Sequence, residues 1–419
     1  MKIFFLIIFL LIFTSKIFST PGPQWIWYNT SNSEIPANNL SSIEIDSNNV
    51  KWLGCGNGLI KFDNNSWFLY NSANSPVINS VQIIKKDGFN GIWFYVYSKG
   101  LFFLKNGVFT IYNSTNSGLP FNNLYSLAIE SDSIKWMGSA DRLVRFNGLN
   151  WSIFDTSNSG YKHDVAQTIE ISGHTKWFGS FSHGLGKFND TSWTYYNNQN
   201  SGLQDVTIYS ISIVNPSLVW VGTRFSGVQK FNLATNQWTY YNTSNSPLPE
   251  NEVKAITNNK INGDVFMGPR GFGVAKLSDT TWTLYGPPIP DGNFAVDFRF
   301  DKFNNLWIAT SDGLFVYNSN GIVGINDQSS IINDFQLFQN YPNPFNPTTK
   351  INYELRITNY VTLKVHDLQG KEIATLLNER QNSGLHSVNF NSSGLASGIY
   401  FYTLKTGSFS ETKRMVLIK

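Results

Sequence analysis

The sequence predicts an all-β protein, a seven-bladed β-propeller followed by a small immunoglobulin-like β-sandwich. Three observations carry this expectation. The chain has 419 residues with 16% aromatics, 13 Trp, 33 Gly and only 14% charged residues, a composition suited to short strands and tight turns rather than amphipathic helices. An aromatic-x-x-aromatic signal recurs at Trp25, Trp67, Phe109, Trp151, Trp193, Trp238 and Trp282, in steps of 42, 42, 42, 42, 45 and 44 residues. After residue 320 the repeat is lost and a different strand pattern begins.

The first unit shows how one period is filled. Leu40 to Ile45, Lys51 to Gly54, Gly58 to Phe62 and Trp67 to Tyr70 each read as a strand, and four antiparallel strands in about 42 residues match one propeller blade. The Asp46-Ser47-Asn48-Asn49 and Asp63-Asn64-Asn65-Ser66 runs between them are turn chemistry. A second series of W-x-G form starts at Trp52, Trp93, Trp136, Trp177, Trp220, Phe266 and Trp307. The chain opens on a fourth-strand motif, Trp25 to Tyr28, and its repeats end on three strands, Phe294 to Tyr317. The N-terminal strand, residues 24–28, is therefore expected to close the last blade, which removes the free edges of the ring.

Met1, Lys2, an apolar run from Ile3 to Phe13 and a small residue at Ser19 read as an export signal occupying residues 1–20. Eleven apolar residues are too few for a membrane span, and no later stretch approaches one, so no transmembrane segment is expected after cleavage. Cys55 is the single cysteine, which excludes an intramolecular disulfide, and it lies too far from the signal for a lipid attachment. It reads as an inert thiol.

The net charge of +3 includes Lys2, Lys16 and a surplus of +3 on residues 330–419, leaving about −2 on residues 21–329. That balance gives no electrostatic footprint for nucleic acid.

The unit core, as in Trp220-Val221-Gly222-Thr223 and Trp307 to Leu314, resembles the two-component-regulator propeller repeat over about residues 24–318. In that family the repeats often form the periplasmic sensor of a hybrid histidine kinase. No kinase segment follows here, so the sensor role is not carried over.

Residues 319–334 read as a linker. Beyond it, Asn340-Tyr341-Pro342-Asn343-Pro344-Phe345-Asn346-Pro347, the Asp367-to-Lys371 turn around Gly370, the Gly398-Ile399-Tyr400 strand start and the terminal run from Lys413 to Lys419 closely resemble the type A sorting domain of type IX secretion. The resemblance covers residues 335–419. It implies a secreted or outer-surface location reached through the periplasm, with the type IX machinery as partner and Tyr341, Pro342, Asn343, Pro344, Phe345, Asn346, Gly370, Gly398, Tyr400, Lys413 and Lys419 as parts of the signal. Six strands after Thr349 are expected to form the sandwich.

Zinc, nucleophile-elbow, phosphate-loop and dinucleotide motifs are missing from the sequence, so no catalytic residue, metal or cofactor is assigned. The inter-blade formula Asn-Thr-Ser-Asn-Ser recurs from blade to blade and reads as architecture. Departures from it are more informative: Tyr161-Lys162-His163-Asp164 replaces the usual Leu-Pro-x-Asn, and on the same face the turns carry Phe181 and His183, Arg224 and Phe225, and Arg270 and Phe272. Asp141, Arg142 and Asp312 continue the ring. Rings and guanidinium groups in one arc suit an acidic glycan or peptide, so a binding module with an extracellular glycan or protein ligand is expected. The alternatives are a secreted polysaccharide-active or peptide-cleaving enzyme, which needs a carboxylate pair, and a purely structural surface protein.

Overall fold

A computed structural model describes residues 24–162, 165–285, 295–325, 335–355, 359–382, 384–406 and 409–419. The export signal expected at residues 1–20, His163, Asp164 and most of the expected linker lie outside the described residues.

Seven four-stranded antiparallel sheets follow one another along the chain up to Tyr317. The innermost strands are Leu40–Ile45, Val81–Lys86, Ser126–Ile129, Ala166–Ser172, Ile208–Asn215, Val253–Asn258 and Ala295–Phe300, and they surround a central channel. The N-terminal strand Trp25–Tyr28 is the outer strand of blade seven, as its motif predicts. Trp25 pairs with Tyr317, Ile26 with Val316, Trp27 with Phe315 and Tyr28 with Leu314.

The apolar core is divided into layers between blades rather than gathered in one centre. Each layer joins the second-strand and third-strand residues of one blade to those of the next; Trp52, Val81, Phe94 and Phe102, for example, link blades one and two. The aromatic repeat acquires its physical reason here. Its Trp stacks on the Phe of the third strand, with centroids 3.9 Å apart for Phe62 and Trp67, 4.1 Å for Phe188 and Trp193 and 4.3 Å for Phe231 and Trp238.

The glycines of the W-x-G series also answer to close approach. Gly222 faces the Val253 carbonyl of the next blade, where a Cβ would sit 2.7 Å from the oxygen. Gly227 opens the third strand at φ 76°, and a side chain there would collide with the Tyr241 carbonyl.

Turns between first and second strands are tied to the tryptophans. The indole N–H groups of Trp52, Trp93 and Trp307 donate to Asp46, Asp87 and Asp301 at 3.0–3.1 Å, and Trp136 donates to Glu130 at 2.6 Å. The inter-blade formula is likewise a closed hydrogen-bond motif. Asn242 Oδ1 accepts from the Ser244 amide and hydroxyl, Asn245 Nδ2 donates to the Tyr240 carbonyl and Ser246 Oγ to the Asn242 carbonyl. The same bonds recur at Asn29, Asn113 and Asp155, so these loops are architecture.

Only residues 319–325 of the expected linker are described. Residues 319–325 fold back on blade seven: Ile322 is buried in the layer between blades seven and one, and Asn305 Nδ2 donates to the Val323 carbonyl at 2.8 Å. The apolar side chain of Ile322 gains more from that layer than from water.

Residues 335–419 form a separate pair of sheets, one of three strands and one of four. Strands Thr348–Leu355, Asn359–His366, Glu372–Gln381, Gly384–Asn391, Gly398–Thr406 and Phe409–Leu417 coincide with the six expected, and a seventh, Phe335–Leu337, pairs with the first of them. Tyr353, Val361, Leu363, Tyr402, Met415 and Leu417 are buried between the sheets.

Candidate ligand-binding face

The turns between second and third strands and the starts of the inner strands lie on one face, at the mouth of the channel. Register explains why: Ile208, at the start of its inner strand, pairs with Thr223 immediately before the Arg224 turn. The channel itself, about 190 Å³, is polar and its charges are mutually paired. Lys85 of blade two meets Glu170 of blade four at 3.5 Å, and Arg299 of blade seven meets Asp297 at 2.7 Å and Glu44 of blade one at 3.4 Å.

On blades four and five Phe181, Arg224 and Phe225 lie together. Phe181 and Phe225 are 40% and 63% exposed, and the Arg224 guanidinium carbon lies 5.8 Å from the first ring and 4.9 Å from the second. The segment joining the two blades fixes this geometry. Thr207 Oγ1 donates to the Phe181 carbonyl at 2.9 Å, the Arg224 amide donates to the Thr207 carbonyl at 3.1 Å, and Asp205 accepts from the Phe225 amide at 2.6 Å. Arg224 has no carboxylate partner among the described residues.

Arg270 is exposed and held by a carboxylate. Its Nη1 donates to Glu252 at 2.8 Å, and Glu252 also lies 3.8 Å from Lys254. Glu252 was hidden in the sequence because it sits in a loop whose formula reads as a turn. Tyr209 stands beside Arg224, Glu252, Arg270 and Asp205, and its hydroxyl is pushed above the usual phenol range, chiefly by burial. Phe272 is half-buried and His183 exposed, with His183 Nδ1 3.0 Å from Ser182 Oγ.

The Tyr161-Lys162 departure divides. Tyr161 is 1% exposed and packs with Phe178 and Trp193 at 5.9 and 5.8 Å, so it belongs to the layer between blades three and four and not to the surface arc. It takes the place of the buried leucine of the other loops, Leu119 or Leu203, which is why its aromatic character misleads. Lys162 is exposed with its ammonium 5.8 Å from the Tyr195 ring.

Asp141 pairs with Arg142 at 3.6 Å, and Asp312 is held above the usual carboxylate range by burial. Glu130, His174 and Asp190 gather on the opposite face. Lys176, buried among them, bonds Glu130 at 2.9 Å and also Asp190, so its ammonium supplies the cation to these carboxylates.

Residues 339–419 match the family described as the secretion system C-terminal sorting domain. Within it, the Asn340 amide donates to the Tyr402 hydroxyl at 2.8 Å, and its side chain donates to Thr349 and the Pro342 carbonyl. Phe345 is buried, while Tyr341, Pro342, Asn343, Pro344 and Asn346 are exposed. Asn343 accepts from the Val416 amide, Gly370 takes φ 79° in its turn, and Lys419 bonds Ser397 and Ser393. Lys413 pairs with Glu411 at 3.0 Å. Gly398 and Tyr400 open their strand, with the Tyr400 hydroxyl on the Ala396 carbonyl at 2.9 Å.

No curated protein matches the sequence. Among solved structures, the extracellular domain of a hybrid two-component system from B. thetaiotaomicron is similar at 18% identity and a TM-score of 0.62, covering 94% of this chain and 57% of that one. The extracellular domain of a one-component system from the same organism gives 13%, 0.59, 94% and 59%. Streptogramin B lyase gives 16% and 0.56, with 70% of this chain and 97% of that one covered. The chain thus spans less than two thirds of the first two, and these similarities are of fold. Among the described residues no helix is long and apolar enough to cross a membrane. The propeller is thus joined to a C-terminal sorting domain of the type IX system, and the protein is exported to the cell surface or beyond it.

Proposed function

We propose that the protein is an exported binding module whose channel-mouth face takes an acidic glycan. The observation that carries this is Arg224, which lies between two exposed aromatic rings and has no carboxylate partner among the described residues. A guanidinium in that position offers a carboxylate-matching fork, and the rings offer faces on which a sugar can stack. Arg270, held by Glu252, sets the far side of the arc and contributes shape more than free charge. In this reading residues 1–20 are removed on export, residues 21–318 bind, and residues 335–419 are the sorting signal.

The test is a binding screen of the full exported chain against polygalacturonate, alginate and sulfated glycans, comparing wild type with the Arg224→Ala, Arg270→Ala double variant. Binding that is lost in the double variant supports the reading. An unaltered affinity in the double variant, or no binding by folded wild type, removes it and leaves a protein partner or a structural role.

A further inference from the structure

On the other side of the channel mouth the surface has a different chemistry. A cavity of about 310 Å³ lies between blades two, three and four, lined by Tyr95, Tyr97, Tyr125, Asn123, Gln82 and Gln167 together with two aliphatic residues. No lining residue carries a charge. The volume falls at the lower end of the range in which proteins hold small ligands.

Tyr97 and Tyr125 are 48% and 44% exposed although each is anchored by its backbone. The Tyr97 amide donates to the Ser80 carbonyl at 2.8 Å, its carbonyl accepts from Asn79 Nδ2 at 3.2 Å, and the Tyr125 amide donates to the Gly138 carbonyl at 2.8 Å. Tyr95, buried, accepts from the Ser98 amide and donates to Asn123 Oδ1, both at 3.3 Å. The carboxamides of Gln82 and Gln167 have no hydrogen-bond partner among the described residues, and the same holds for the hydroxyls of Tyr97 and Tyr125.

We infer that this cavity is a second subsite, for an uncharged pyranose ring. The inference deepens the proposed glycan-binding role of this face and rests on it. Carboxamides present a donor and an acceptor together, which matches vicinal hydroxyls. Exposed tyrosines present large, rigid faces at low entropic cost, for the C–H face of a sugar. A carboxylate or sulfate would find no cation in the cavity, so specificity here is for a neutral residue. A glycan carrying both neutral and acidic units could then engage both sides of the mouth.

Affinity electrophoresis of the full exported chain through gels containing galactomannan, xyloglucan or laminarin, with polygalacturonate alongside, tests this. At least one uncharged polysaccharide should retard wild type and the Arg224→Ala, Arg270→Ala variant alike. The Tyr97→Ala, Tyr125→Ala variant should bind it at least tenfold more weakly, and Gln82→Ala, Gln167→Ala, which leaves the rings in place, severalfold more weakly. Retardation unchanged in both variants overturns the subsite. Polygalacturonate binding without retardation by any uncharged polysaccharide overturns the subsite and leaves the arginine arc standing. Loss of both kinds of binding in folded wild type overturns both.

Discussion

The Lys51 ammonium lies 4.2 Å from the centre of the Trp307 ring, across the seam where blade one meets blade seven. Lys51 is fully buried and donates to the Asn49 carbonyl at 2.9 Å and to Asn64. Lys135 over Trp93 at 4.4 Å and Lys176 over Trp136 at 5.2 Å repeat the contact at two other seams. Each pairs the lysine before one W-x-G tryptophan with the indole of the preceding blade, so the motif both fills a blade and binds its neighbour.

Burial, only partly offset by Asp301 and Asp46, lowers the Lys51 pKa to about 8 from its ordinary 10.5. Between those values the unfolded chain holds the proton and the folded chain does not, so this group's contribution to stability rises with pH across the window. From pH 7.5 to 9.5 wild type should gain about 2 kcal/mol relative to Lys51→Met. Denaturant titrations at both pH values measure it, and a constant difference would falsify the linkage.

Removing residues 24–28 should destabilise the whole ring by several kcal/mol. It unpairs the edge of blade seven along the Trp25–Tyr317 to Tyr28–Leu314 register and strips the buried Trp25 and Tyr28 from two layers. Thermal melting of the truncated protein reads this directly, and a wild-type midpoint would show that the seam is not what holds the disc shut.

Cys55 is fully buried, and burial raises its thiol above the ordinary range while its sulfur bonds Asn57 and the Gly58 carbonyl. A thiol reagent at neutral pH should leave it unmodified in the native protein and react with one equivalent after denaturation. Fast modification of the native form would mean that this part of blade one opens readily.

Export should depend on residues 339–419. Deleting them in a host with the type IX machinery is expected to leave the propeller in the periplasm, as cell fractionation would show, whereas Arg224→Ala, outside the sorting domain, should not alter the location. Surface delivery of the truncated chain would place the signal elsewhere.

Binding through Arg224 should also weaken with salt, because a half-exposed guanidinium is screened over about 8 Å at physiological ionic strength. Raising sodium chloride from 50 to 500 mM should reduce uronate affinity severalfold and leave uncharged-sugar affinity nearly unchanged. Equal salt responses would argue against two chemically distinct halves of the mouth.

Much of this protein was legible in one dimension. Blade number, strand order and the closing role of Trp25 to Tyr28 follow from a repeat whose period and phase can be counted, because each blade meets only its neighbours and local pattern decides local structure. The sorting domain was legible too, since its motifs stand in order to the last residue. The candidate face was only half legible. Phe181, Arg224 and Phe225 can be read as turn residues of one face, but Tyr161, the departure from the loop formula, is buried in place of a leucine, and Arg270 is paired with Glu252. Tyr97, Tyr125, Gln82 and Gln167 gave no linear signal, because residues up to 85 positions apart meet only when the ring closes and three blades turn the same ends to one mouth. Periodicity determines which face of a strand is buried; which side chains share a cavity is decided by the curvature of the ring.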